Sequence, residues 1–284
     1  RYIFNGWWRV DCKIMPKFLK DIKLKGKVAV VTGATKGIGR STAIALHQVG
    51  ASIIAIGRNK NELQSLKKKL KTRIQSIECD VNDYEKINKA INKIKKIDVL
   101  VNNAGTNLPE PFLKVKKSSL ETLLNVNTKA AFNIAKLCTK KMLELKNRKK
   151  IGGSIINTSS MFGLVGGPNR TVYSMTKFGI EGLTKGMAVD LAKFNIRVNS
   201  VCPTFVATPR AKKYLSNKKF KKYAINNIPL GRIATESDVA TAIAYLSSSA
   251  SSMITGTSII IDGGWTAKWC VSFYSLYFFY FFQS

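Results

Sequence analysis

The sequence predicts an α/β fold, a single domain built on a doubly wound parallel sheet of about seven strands with helices on both faces. Two observations carry this prediction. Apolar, β-branched runs alternate with stretches of helical periodicity along the chain, which is typical of a parallel sheet covered on both faces. No linker, composition break or internal repeat interrupts residues 23–266. We therefore expect one domain over residues 23–268.

The elements alternate regularly, and each helical stretch separates two strands, so each crossover returns the chain to a parallel neighbour. The predicted strands cover residues 27–32, 52–56, 74–78, 98–101, 154–157, 197–201 and 258–261. The predicted helices cover about 37–49, 60–71, 84–95, 118–146, 173–194 and 236–247, with a basic helical insertion at about 209–226.

The two ends of the chain differ from its middle. The first methionine is Met15, and we expect residues 1–14 to be upstream translation or a disordered arm, within an extension 1–22 outside the fold. Residues 269–284 are mostly aromatic or apolar, but a transmembrane helix needs about 20 residues. Three interpretations of this tail stay open: translation past the natural end, a subunit contact, or an anchor at a membrane interface.

The charge of the chain is strongly positive, with 47 Lys and Arg against 16 Asp and Glu and a formal net charge of +31. Such a surface is typical of proteins that bind nucleic acid or acidic membranes. The lysines are spread over every predicted helix, however, without a zinc pattern or an aromatic platform. We therefore predict no nucleic-acid partner and keep a basic nucleic-acid or membrane-surface binder as an alternative function.

The cysteine and histidine content argues against metal and disulfide sites. The cysteines are scattered, odd in number and without a Cys-x-x-Cys pair, which predicts a reducing, cytoplasmic compartment. With His47 as its single histidine, the chain cannot form a His-rich metal site or a His-based triad, so we predict no metal. The five cysteines are Cys12, Cys79, Cys138, Cys202 and Cys270.

The stretch Tyr173-Ser174-Met175-Thr176-Lys177 offers acid–base chemistry. A Tyr and a Lys four residues apart on a helix lie on one face, one turn from each other. A phenol has a reference pKa of about 10, and a nearby cation lowers that pKa. The pair can therefore exchange a proton with a carbonyl or alcohol oxygen. Alone the motif is weak, because most such pairs are solvated helix surface.

A glycine-rich turn, Thr32-Gly33-Ala34-Thr35-Lys36-Gly37-Ile38-Gly39, lies between the first strand and the first helix. Glycine lets the backbone adopt positive φ and approach a ligand closely. The helix N-terminus offers free N–H groups and the positive end of its dipole to a pyrophosphate. The Gly-x-x-x-Gly-x-Gly spacing differs from the G-x-G-x-x-G dinucleotide fingerprint but occupies the same place in the fold.

These motifs together resemble the short-chain dehydrogenase/reductase family in its compact, Rossmann-like form, over about residues 24–266. The resemblance implies an oxidoreductase that interconverts a small carbonyl compound and a secondary alcohol. The similarity is to carbonyl, polyol and sugar-acid reductases and to 3-oxoacyl reductases, which the motifs do not separate. The resemblance rests on Thr32-Gly33, Gly37-Ile38-Gly39, Asn102-Asn103-Ala104-Gly105, Ser160 and Tyr173 with Lys177.

The resemblance implies a catalytic set. Tyr173 is expected to be the general acid for reduction and the base for oxidation. Lys177 is expected to lower the pKa of Tyr173 and to bind the nicotinamide ribose. The hydroxyl of Ser160 is expected to hold the substrate oxygen; Ser159 is adjacent, but the family spacing selects Ser160.

Two further positions follow from the resemblance. Asn127 matches the family's helix asparagine, which supports a water that leads protons from the lysine to solvent, and Asn125 is its competitor. The family usually has Pro-Gly after the sixth strand, where this chain has Pro203-Thr204. Because Thr resists positive φ, we expect the backbone beside the nicotinamide amide to take a different path.

The residue after the second strand decides between NAD and NADP. A carboxylate there accepts from the 2′-hydroxyl of NAD, whereas a basic residue accommodates the 2′-phosphate of NADP. This chain has Gly57-Arg58-Asn59 without an acid, and Arg58 and Lys36 can bind phosphate. We therefore predict NADP(H). The remaining cofactor contacts that the resemblance implies are Gly33, Thr35, Gly37, Ile38, Gly39, Asp80, Val81, Asn103, Ala104, Gly105, Tyr173, Lys177, Pro203, Val206 and Thr208.

The substrate end is expected at residues 161–164, 107–108 and 169–170, under a mobile lid at 205–228. Arg170 and Arg210 indicate an anionic or polyhydroxy substrate, unless they are background charge. The resemblance also implies a homotetramer, with a dimer second. A nucleotide-binding regulator or scaffold without catalysis is the other alternative function.

Overall fold

The sheet that the sequence predicts is confirmed in the computed structural model, which describes residues 21–268. The predicted extensions lie outside the described residues, apart from residues 21 and 22. Seven parallel strands follow the order β3-β2-β1-β4-β5-β6-β7. The strands are β1 (Val28–Thr32), β2 (Ser52–Gly57), β3 (Ile74–Glu78), β4 (Val99–Asn102), β5 (Gly153–Thr158), β6 (Ile196–Pro203) and β7 (Ser258–Ile261).

Helices cover both faces of this sheet. Successive residues of β1 point to opposite faces, so Ala29 and Val31 join one buried cluster and Val30 joins the other. The first cluster includes buried side chains from α1, α2 and α10, and the second includes buried side chains from α3, α5 and α7. The helices are α1 (Gly37–Gln48), α2 (Lys60–Leu70), α3 (Tyr84–Asn92), α4 (Lys117–Leu124), α5 (Ala130–Leu143), α6 (Arg148–Ile151), α7 (Thr171–Ala192), α8 (Pro209–Leu215), α9 (Lys218–Asn226) and α10 (Glu236–Ser247).

The single α-helix predicted over 118–146 is wrong. The chain instead forms α4, a π-helical turn at Asn125–Lys129, and then α5. The turn centres on Asn127, whose side chain is hydrogen-bonded to both backbone groups of Thr106. A π-turn holds one more residue than an α-turn, and such turns occur frequently at functional sites.

The basic insertion at 209–226 is helical as predicted, but it forms two helices, α8 and α9. Asn217 separates them because its side chain accepts a hydrogen bond from the backbone N–H of Phe220 and so begins α9.

A buried ion pair fixes the amino edge of the sheet, and no sequence motif indicated it. Arg148 Nη1 lies 3.6 Å from Asp98 Oδ1, and both side chains are almost fully buried. The guanidinium also donates to the carbonyl oxygens of Met142, Ile97 and Gly152. Arg148 thereby joins the loop before β5 to the start of β4.

We expect Arg148→Met to destabilise the fold by about 3–5 kcal/mol, because it leaves three carbonyl oxygens unpaired and the buried Asp98 carboxylate with Lys96 as its remaining cation. The methionine keeps most of the apolar stem, so lost volume contributes little. Urea unfolding followed by circular dichroism measures the change. Lys150→Met, an exposed position in the same helical turn, is the matched control, and equal stabilities of the two variants would contradict the assignment.

Candidate active site

One cleft of about 900 Å³ opens at the carboxyl edge of the sheet. The strand order reverses there between β1 and β4, which is where open α/β sheets bind ligands. The cleft brings together all but two of the predicted site residues, since Gly39 and Asn127 do not line it. Those that line it are Gly33, Thr35, Lys36, Gly37, Ile38, Arg58, Asp80, Val81, Asn103, Ala104, Gly105, Ser160, Tyr173, Lys177, Pro203, Val206 and Thr208.

The glycine turn between β1 and α1 forms a cradle for phosphate. Gly37 has a φ of +61°, a conformation that side chains other than hydrogen disfavour. A Cβ on Gly39 would collide with the carbonyl oxygen of Gly33. Within the described residues no side chain caps α1, so the N–H groups of its first turn can donate to an anion. The turn therefore fits the pyrophosphate of a dinucleotide cofactor.

A hydroxyl that the sequence analysis did not single out joins two walls of the cleft. Thr32 Oγ1, at the end of β1, accepts hydrogen bonds from the backbone N–H groups of Asn103 and Ala104 at 2.9 and 3.0 Å. The Asn103 amide donates in turn to the carbonyl oxygen of Thr32 at 3.0 Å. These bonds hold the loop after β4 against the glycine turn.

The predicted adenosine end carries both cations expected to bind phosphate, and each has a carboxylate partner. Arg58 Nη1 lies 3.4 Å from Asp80 Oδ2, with 73% of the arginine side chain exposed. Lys36 Nζ lies 3.2 Å from Glu62 Oε1. Glu62 was not among the predicted site residues, although it follows the helix-capping residue Asn59 by three positions, the usual spacing of a capping box. Both pairs are solvent-accessible, and Lys36, Arg58 and Asp80 line the cleft.

The other end of the cleft holds Ser160, Tyr173 and Lys177. Ser160 and Tyr173 line this end together, and the Ser160 hydroxyl accepts from the backbone N–H of Phe162 at 3.2 Å. Lys177 Nζ lies 5.7 Å from the centroid of the Tyr173 ring and donates to the carbonyl oxygen of Thr158 at 2.8 Å. The Ser159 hydroxyl, the alternative to Ser160, donates to the backbone carbonyl of Lys177 instead.

Burial dominates the acid–base properties of this group. It raises the pKa of Tyr173, and the hydrogen bond from Ser160 followed by the charges of Arg170 and Arg210 oppose that rise. Burial also lowers the pKa of Lys177 to about 8, below the ordinary value of a lysine.

Asn127 is 2% exposed and has its side-chain groups paired. Its Oδ1 accepts from the backbone N–H of Thr106, while its Nδ2 donates to the Thr106 carbonyl and to Thr176 Oγ1. The side chain thus connects the loop after β4 to α7, which carries Tyr173. Asn125, the competing asparagine, is exposed.

The predicted lid contributes an aromatic wall to the substrate end. Phe205 packs edge-to-face against Phe162, Phe220 and Trp265, with ring centroids 6.4, 5.2 and 5.5 Å apart. Phe162 in turn packs edge-to-face against Tyr173 at 6.3 Å. The rings of Phe162, Phe205 and Phe220 thus line the cleft beside Tyr173.

The Pro203-Thr204 position keeps an ordinary backbone. Among the described non-glycine residues, positive φ occurs at Lys71, Arg73, Asn169 and Asn195, and Thr204 is not one of them. The Thr204 N–H donates to the carbonyl oxygen of Ile261 at 3.1 Å, while its hydroxyl is buried without a partner. The backbone at Thr204 therefore extends the pairing of β6 with β7 instead of adopting a left-handed conformation.

Two other kinds of site are absent from residues 21–268. No group of three or more His, Cys, Asp or Glu side chains is arranged to hold a metal ion in this part of the chain. None of its helices combines the length and apolarity needed to span a bilayer.

Comparison with known proteins identifies the family. A family profile described as enoyl-(acyl carrier protein) reductase matches residues 33–266. The 3-oxoacyl-[acyl-carrier-protein] reductase FabG of Thermotoga maritima is 38% identical over 86% of this chain and 99% of its own length. Carbonyl reductase [NADPH] 2 of Sus scrofa is 36% identical over 87% of this chain and 100% of its own length.

The fold comparison agrees. The structure of a gluconate 5-dehydrogenase from Burkholderia cenocepacia J2315 in complex with NADP and tartrate superposes with a TM-score of 0.83 and 28% identity, covering 88% of this chain and 99% of that one. The glycine turn and the arrangement of Ser160 and Tyr173 agree with these relatives. The chain belongs to the short-chain dehydrogenase/reductase family of nicotinamide-dependent oxidoreductases.

Proposed function

We propose that this protein is an NADP(H)-dependent reductase that interconverts a carbonyl group and a secondary alcohol, with Tyr173 as the acid–base residue. The observation that carries the proposal is the grouping of the half-buried phenol of Tyr173 with Ser160 and Lys177 in the cleft of the glycine turn. A regulator without chemistry has no need of these three groups together in such a cleft.

The raised pKa of Tyr173 suits a general acid. A phenol that stays protonated at neutral pH can give its proton to a carbonyl oxygen, and Ser160 can hold that oxygen by a hydrogen bond. NADPH, when bound, supplies the hydride. Lys177, with a pKa of about 8, gains and loses a proton near neutrality and is proposed to restore the proton of the phenol. Asn127 keeps the loop beside Lys177 in place.

NADP(H) is favoured over NAD by the residues at the adenosine end. Arg58, Lys36 and Asn59 line that end of the cleft, and its nearest carboxylate, Asp80, pairs with Arg58. The pig relative is named as NADPH-dependent, and the Burkholderia structure contains NADP. We propose that Asp80 and Val81 contact the adenine, that Asn103, Ala104 and Gly105 contact the ribose side, and that Val206 and Thr208 hold the carboxamide.

We also propose a homotetramer, with a dimer as the second choice, and a cytoplasmic location. We propose that α5 and α7 pair with their counterparts in neighbouring subunits. Large apolar side chains are exposed on both helices: Phe132 on α5 is 51% exposed, and Phe178 and Val189 on α7 are 49 and 79% exposed. The described cysteines, Cys79, Cys138 and Cys202, are buried and free, as a reducing compartment requires.

Removing the phenolic oxygen tests the mechanism. Tyr173→Phe keeps the ring and its packing, so NADPH should still bind while turnover falls by about 10²–10⁴-fold or more. A spectrophotometric panel of sugar acids, polyols, 3-oxoacyl compounds and other carbonyls with NADPH finds the best substrate for the measurement. Tyr84→Phe, which removes a phenol outside the cleft, is the control. Near-normal turnover of Tyr173→Phe would reject the mechanism.

Reversing the charge at Arg58 tests the cofactor assignment. Arg58→Asp exchanges a phosphate partner for an acceptor of the ribose 2′-hydroxyl, so the ratio of kcat/KM for NADPH to that for NADH should fall at least tenfold. Arg58→Ala should lose the NADPH preference without gaining NADH activity, and Lys68→Asp on the exposed face of α2 controls for net charge. The assignment is wrong if wild type prefers NADH or if the ratio does not move.

The lowered pKa of Lys177 predicts a pH dependence. The side chain carries its charge below about pH 8 and loses it above, so NADPH affinity and turnover should decline as the pH rises through 8. Lys177→Met should bind NADPH weakly, turn over poorly and lack this inflection. Fluorescence titrations between pH 6 and 10 measure it. An unchanged inflection in Lys177→Met would assign it to another group.

A further inference from the structure

We propose that Arg170 and Arg210 form an anion subsite beside Tyr173, and that the substrate is a hydroxylated carbonyl compound bearing a carboxylate. The assignment of a carbonyl substrate rests on the proposed function, whereas the binding of a carboxylate does not. The guanidinium of Arg170 has fewer hydrogen-bond partners than its donors require.

Arg170 is half-buried in the wall of the cleft, where its Nε is fully enclosed and has no hydrogen-bond partner. Its Nη1 donates only to the carbonyl oxygen of the adjacent Asn169, at 3.3 Å. Arg197, which is similarly enclosed, instead donates to the carbonyl oxygens of Ile254, Leu246 and Ser248. Guanidinium N–H groups taken out of water are normally paired. The described chain provides no acceptor for the enclosed Nε of Arg170.

The surroundings of Arg170 favour an anion over a neutral acceptor. Arg210 on α8 lines the same cleft, where its Nη1 reaches the carbonyl oxygen of Gly105 and the hydroxyl of Thr106, each at 3.3 Å. Both guanidinium charges act on Tyr173. Among the described residues that line the cleft, Asp80 at the adenosine end is the only carboxylate. Two cations thus face the substrate end without a compensating charge.

The aromatic wall strengthens this subsite. Phe162 and Phe205 place apolar surface next to Tyr173, and a charge pair beside apolar surface is stronger than one in bulk water. Arginine also binds carboxylates in a bidentate geometry that fixes orientation. A carboxylate held there would position the remainder of the substrate against Ser160 and Tyr173.

Three neutral groups indicate that the bound acid also carries hydroxyls. Asn107 Oδ1, Thr158 Oγ1 and Thr204 Oγ1 are buried without partners, and all three residues line the same cleft. Buried polar atoms are normally satisfied, and a substrate hydroxyl can pair with such an atom once its side chain turns towards the cleft. Simple apolar ketones leave these groups and Arg170 Nε unpaired.

A binding experiment on the full chain loaded with NADP tests this subsite without requiring turnover. The probes are erythronate and erythritol, which differ only in a carboxylate replacing a CH₂OH group. Calorimetry should show erythronate binding at least tenfold more tightly than erythritol. Arg170→Met should weaken the affinity for erythronate by about 10–100-fold, the usual effect of losing a charged hydrogen bond. The affinity for erythritol should stay unchanged.

Two control variants separate the subsite from the general basic charge. Arg170→Lys keeps the charge but loses the bidentate geometry, so it should recover only part of the affinity. Lys68→Met removes one exposed charge outside the cleft and should bind both probes as wild type does. If the wild type does not distinguish the probes, if it fails to bind erythronate, or if Lys68→Met loses as much affinity as Arg170→Met, the proposal is overturned.

The outcome also separates this proposal from the proposed function. Reduction of neutral carbonyls with NADPH, combined with no preference for erythronate, would leave the reductase and overturn the anion subsite. Erythronate binding that depends on Arg170, combined with no reduction of any carbonyl in the panel, would support the subsite and reject the reductase.

Discussion

The parallel register of the central strands is the constraint on which the rest of the site depends. Because β1, β4, β5 and β6 run in the same direction, the loops that follow them meet at one edge of the sheet. The glycine turn, the Asn103 loop, Ser160 and Pro203 are far apart in sequence, yet each follows the end of one of these strands. Thr32 strengthens this arrangement, since one hydroxyl accepts from two N–H groups of the neighbouring loop.

Burial then gives the two ends of the cleft different electrostatics. At the adenosine end Lys36 and Arg58 are exposed and paired with Glu62 and Asp80. Exposed pairs of this kind are worth about 0–1 kcal/mol, so a phosphate can displace the carboxylates at little cost. At the proposed catalytic end Arg170 is half-buried and Arg210 is exposed, and neither has a carboxylate partner among the described residues. Their charges oppose the rise that burial gives the pKa of Tyr173.

Much of this arrangement could be predicted from the sequence, because alternation of strands and helices and the spacing of glycines, Tyr173 and Lys177 are local patterns. The π-turn around Asn127 could not, since it depends on hydrogen bonds to Thr106, a residue from another loop. The same holds for the Arg148 ion pair and for the partners of Lys36. The effect of Lys177 on Tyr173 was predicted from helical spacing alone, but spacing does not report desolvation, which lowers the pKa of that lysine to about 8.

The high net charge of the chain illustrates the same difference between composition and structure. A formal charge of +31 distinguishes neither a nucleic-acid binder from an enzyme nor one substrate from another, because most lysines are solvated. What distinguishes one cation from another is the partner that the fold supplies. Arg148 pairs with Asp98, and Arg197 donates to three carbonyl oxygens, whereas Arg170 donates only to the carbonyl oxygen of the adjacent Asn169. A buried donor without a partner costs free energy in the free protein, so a ligand that supplies the acceptor recovers that free energy on binding. The specificity of this cleft is therefore expected to follow its unsatisfied groups more closely than its overall charge.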